Sequence, residues 1–138
     1  MYTKPVLSLD DAKRMAAAAE TEALANQWPV VIAIVDDGGH LLYLQRMDGV
    51  APVSAQIAPA KAVTAALGKR ESRIYEEMIN NGRYSFLSAP QLEGMLEGGV
   101  PVFVDGVCVG AIGVSGVKSS QDAQIAKAGI AALGLDPS

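Results

Sequence analysis

The chain has 138 residues, half of them apolar but only 5% aromatic, and a formal net charge of −4. That length accommodates one hydrophobic core, and a diffuse acidic balance excludes nucleic-acid phosphates and anionic membrane surfaces as main partners. The single cysteine, Cys108, rules out an internal disulfide, and no apolar run reaches the roughly 18 residues of a membrane span.

Met1–Pro5 lacks the apolar run of a signal peptide, so the expected compartment is the cytoplasm. Ser8, followed three residues later by Asp11, predicts a helix N-cap. Ala12, Met15, Ala16, Ala19, Ala23 and Leu24 continue at helical spacing to Asn26, and Pro29 stops the helix. Val30–Val35 is a β-branched apolar run and predicts a buried strand. Asp36–Gly39 is a tight-turn signal, and His40–Met47 completes a β-hairpin.

A loop over 48–52 leads into an alanine-rich helix ending at Gly68. Pro59 interrupts it, so either the helix kinks there or its regular part begins near Pro59. Glu71–Asn80 predicts a short helix closed by Asn81-Gly82, and 83–99 reads as a long irregular loop. Val100–Val104, the turn Asp105-Gly106 and Val107–Val114 predict a second hairpin. A last helix runs from Ser119, with Asp122 in its first turn, to Leu133. The order αββααββα predicts an α+β fold: one antiparallel sheet of two hairpins flanked by helices, with 1–138 as a single domain.

Strict alternation along the second strand would place His40, Leu42, Leu44 and Arg46 on one face. Arg46 and Lys61 are the candidate anion ligands. A helix beginning near Pro59 would set Lys61 beside free backbone N–H groups and the positive end of the dipole. We expect both cations to line one pocket with the Gly98-Gly99 loop, holding a carboxylate. Glu97 and Asp122 are the candidate proton carriers. The Glu76-Glu77 pair reads as solvated charge, with a cation site there left open. Gly110, Gly113 and Gly116 in the fourth strand imply close approach by a helix, a partner or a ligand. Neither a Ser/His/Asp elbow nor a phosphate loop is present, and one His with one Cys excludes a closed His/Cys zinc site within the chain.

Val35–Leu41, Arg46–Gly49, Ala60–Ala62 with Thr64-Ala65, Leu96–Val102, Val109–Gly116 and Gln121-Asp122 occur in order across nearly the whole chain. In these motifs the sequence resembles the GlcG/HbpS family. The resemblance implies an antiparallel sheet flanked by helices, homo-oligomers, and haem or a related planar ligand as cofactor, with His40 as its candidate axial ligand. Three readings stand at this point: a haem- or planar-ligand-binding protein, a catabolic accessory enzyme acting on a small organic acid, and a structural oligomer without chemistry.

Overall fold

A computed structural model describes residues 1–137. Four helices, α1 (Leu9–Ala25), α2 (Ser54–Gly68), α3 (Ser72–Asn80) and α4 (Ser119–Ala131), surround a four-stranded sheet. Its strands are β1 (Val31–Asp36), β2 (Leu41–Arg46), β3 (Gly99–Val104) and β4 (Val107–Ser115). All pairings are antiparallel, in the order β2-β1-β4-β3, so the two hairpins join through β1 and β4. The α+β architecture expected from the element order is therefore present. A 3-10 helix (Tyr84–Ser88) adds structure within the segment expected to be irregular.

The N-cap of α1 is a complete capping box: Ser8 Oγ accepts the Asp11 N–H at 3.0 Å, and Asp11 Oδ2 accepts the Ser8 N–H at 2.9 Å. Together they satisfy two backbone donors that the first turn leaves without partners. The alanine face of α1 then packs with α4 on one side of the sheet. There Met15, Val30, Ile32, Ile34, Ile112, Ile125 and Ile130 form the main core.

α2 covers the opposite side, where Ala58, Ala62, Ala65 and Ala66 meet Val31, Ala33, Val35 and Ala111. Gly113 shows how close that approach is: a Cβ there would lie 2.1 Å from the Ala58 carbonyl oxygen. The glycine-bearing strand thus receives a helix. Pro101 occupies β3, an edge strand, where a missing N–H need not break the ladder.

Two local expectations change. α2 begins at Ser54 and carries Pro59 inside it. Lys61 is therefore about two turns into the helix at 3.6 residues per turn, away from the free N–H groups of its start. In β2, a register shift at Ile34/Val35 breaks the alternation. Leu42 and Tyr43 both pack on the α1/α4 core, while Leu41 pairs with Val35 on the α2 side. An extra residue in one strand of a pair does this by turning successive side chains to the same face.

Candidate functional site

The β1–β2 turn is built around one carboxylate. Asp36 Oδ1 accepts the backbone N–H groups of Gly38 and His40, each at 2.9 Å. The same oxygen lies 3.1 Å from His40 Nδ1. The Asp36 N–H donates to the His40 carbonyl, closing the turn from the backbone side as well. Asp37 is held separately, by Lys4 of the N-terminal arm. The Lys4 ammonium keeps the Asp37 carboxyl below its ordinary value through a charged hydrogen bond. His40 is consequently fixed at Nδ1, yet its side chain is 81% exposed, so Nε2 faces outward with the ring direction set.

Lys61 has a different fate. Its Nζ donates to Asp122 Oδ2 and to the Val114 carbonyl, both at 2.9 Å. Both side chains are buried, and Asp122 Oδ1 accepts the Val117 N–H at 3.2 Å. Burial pushes the Asp122 carboxyl above its ordinary value, against the opposing pull of the Lys61 ammonium. Glu97 adds a further push in the same direction. The pair joins α2, the end of β4 and the start of α4.

Gly98 and Gly99 press on this pair, as the Lys61 neighbourhood expected of them. A Cβ on Gly98 would stand 2.8 Å from Lys61 Nζ, and one on Gly99 2.2 Å from the Lys61 carbonyl oxygen. The Glu97 N–H donates to the Glu76 carboxylate, and Glu77 pairs with Arg73. The structure therefore assembles Lys61, Gly98, Gly99 and Asp122 in one buried cluster, with Glu97 at its margin.

Arg46 lies elsewhere. It is exposed at the end of β2, with β1 and β4 between it and β3, and lines a groove with Glu20, Gln45, Met47 and Asp48. Arg46 and Lys61 share no pocket within the chain, because Lys61 is drawn inward by a carboxylate 61 residues further on. Sequence reasoning placed Asp122 among proton carriers and missed its pairing with Lys61. The available signal was a lone lysine inside an alanine-rich helix, since a buried lysine needs a partner. Asp36 was read only as a turn residue, although an aspartate four positions before a histidine can orient the ring.

Among the described residues no group of three or more His, Cys, Asp and Glu side chains is placed to hold a metal ion. No helix among them is long and apolar enough to cross a membrane. Residues 7–131 match the family model described as haem degrading protein HbpS-like.

The chain belongs to the HbpS-like family. It is 57% identical over 115 residues to the protein GlcG of Escherichia coli K12, covering 83% of this chain and 85% of that protein. Among solved structures, an HbpS-like fold recurs in a double mutant of Streptomyces reticuli HbpS. It superposes with a TM-score of 0.89 at 32% identity, covering 97% of this chain and 91% of that one. A PduOC:haem complex gives a TM-score of 0.87 at 33% identity, covering 96% of this chain and 99% of that one.

Proposed function

We propose that this HbpS-like chain is a haem-binding protein in which His40 supplies an axial nitrogen. The observation that carries the reading is the Asp36–His40 pair. A histidine that binds a metal commonly donates its other ring N–H to a carboxylate, which fixes tautomer and direction. Asp36 stands 3.1 Å from Nδ1, and the ring is otherwise open to solvent. A donor of this kind fits haem iron, which takes an axial imidazole. The relatives support the same ligand: the family description names haem, and a similar fold is titled as a haem complex.

The organic-acid reading required two free cations in one pocket. Lys61 is committed to Asp122, so that reading retains only Arg46 and has the weaker support. The proposal includes a homo-oligomer, as the family resemblance implies, and sedimentation should give a species heavier than the 14.3 kDa chain.

Hemin titration followed in the visible spectrum tests the assignment. The wild-type protein should give a sharp Soret band that His40→Ala loses. Asp36→Asn should weaken binding by about 10–100-fold, the usual effect of removing a partner behind a metal ligand. A spectrum unchanged by His40→Ala would sink the role given to this residue.

A further inference from the structure

α2 packs over β4, β1 and β3 but barely reaches β2. Register places Arg46 opposite Val31, Leu44 opposite Ala33 and Leu41 opposite Val35. Paired residues of an antiparallel ladder share a face, so all three β2 side chains stand on the α2 side of the sheet. With no helix above them, Leu41 is 56% and Leu44 37% exposed. Leu67 of α2, also exposed, and Val63 flank the same region, since both lie within van der Waals reach of the Gly39 turn. The result is an apolar trough between β2 and α2. His40 ends it at the turn, and Arg46 ends it at the other extreme of the strand.

Arg46 makes no ion pair among the described residues, although Asp48 shares its groove. His40 and Arg46 are six residues apart, roughly 20 Å along a strand. A small acid could engage only one of these ends. A ligand using both must be long, rigid, apolar in its middle and acidic along one edge.

We infer that this trough seats a planar tetrapyrrole with its carboxylate arms toward Arg46 and its centre toward His40. The inference rests on the haem-binding reading and adds where the ring lies and how it is oriented. A guanidinium recognises a carboxylate through paired N–H donors, which a neutral ester cannot match.

Metal-free protoporphyrin and its dimethyl ester are the probes, followed by porphyrin fluorescence, because neither needs an axial ligand. Wild-type protein should bind the free acid at least about tenfold more tightly than the ester, the value of one charged hydrogen bond. Arg46→Met should erase that preference without weakening the ester. Leu44→Asp should abolish binding of both probes, and circular dichroism would verify that it folds.

Equal losses for acid and ester in Arg46→Met, or no loss for either, would overturn the orientation. Leu44→Asp that alters sedimentation while leaving both affinities intact would assign the trough to a second copy of the chain and overturn the inference. The two proposals separate cleanly: a hemin spectrum independent of His40 with the Arg46 preference preserved defeats only the axial role. Hemin binding through His40 without any Arg46 preference defeats only the trough, and failure of every probe defeats both.

Discussion

Lys61 Nζ and Asp122 Oδ2 lie 2.9 Å apart, each on a side chain almost wholly withdrawn from solvent, and they come from helices on opposite faces of the sheet. The contact is electrostatic and local, but its consequence is mechanical, because α2 and α4 are tied through the end of β4. Breaking such a pair by removing one partner leaves an uncompensated charge in a poorly polarisable interior. Lys61→Met should therefore cost about 3–5 kcal/mol of folding stability. Urea unfolding at neutral pH measures this, and a cost below about 1 kcal/mol, the level of an exposed ion pair, would contradict it.

The same pair predicts a titration. Burial raises the Asp122 carboxyl in the folded chain, so the folded state holds this proton to a higher pH than the unfolded state does. The stability this proton contributes is complete below the unfolded carboxylate value, near pH 4. It is lost as pH rises through the elevated folded value. Carbon-detected NMR of the Asp122 side chain should show a midpoint above the ordinary carboxylate range. In Lys61→Met the midpoint should rise further, because the ammonium that opposed the shift is gone. A downward movement would reverse the assigned cause.

Gly98 has a φ of +133°, and a Cβ there would stand 2.7 Å from the Val114 carbonyl oxygen as well as close to Lys61. Gly82 also has a positive φ, +106°, but a Cβ there would meet nothing within 4 Å. Both alanine variants should be strained, by about 1–3 kcal/mol each. Gly98→Ala should lose measurably more because it also crowds the ion pair. Thermal unfolding of the two variants compares these costs, and equal losses would mean that the crowding at Gly98 is relieved by movement.

At α1, Ser8→Ala removes one side of the capping box and should cost about 1 kcal/mol. Asp11 is held below its ordinary value, first by the Ser8 backbone N–H and then by the Ser8 hydroxyl. Its contribution is thus present above the unfolded carboxylate value and fades as pH falls through the lower folded one. Acid unfolding curves of wild type and Ser8→Ala should converge at low pH. Curves that stay parallel would place the cost of Ser8→Ala elsewhere.

Local chemistry made much of this fold readable. Ser8 and Asp11 announce a cap, and Asp36–Gly39 and Asp105-Gly106 announce turns. In the second turn Asp105 and Gly106 both take positive φ, the conformation that a tight hairpin prefers. Three features depended on distant partners and were not readable. Pro59 is carried inside α2 because the flanking alanines pack on the sheet, so tertiary contact outweighs the local helix penalty. The β2 irregularity follows from pairing with β1, which no alternation within β2 reveals. Asp122 was legible as a helix-start acid, but its use as the partner of Lys61 required knowing that β4 brings the two helices together.

The two borders of the sheet are unequal. β3 has Pro101 within it, while β2 runs from Leu41 to Arg46 with neither proline nor lysine. Those are the residues that ordinarily discourage an exposed strand from recruiting another. When the protein is concentrated or partly melted, intermolecular strand addition should therefore start at β2. Ordered aggregates would then grow from the hairpin that carries His40, and anything occupying that side would slow their growth.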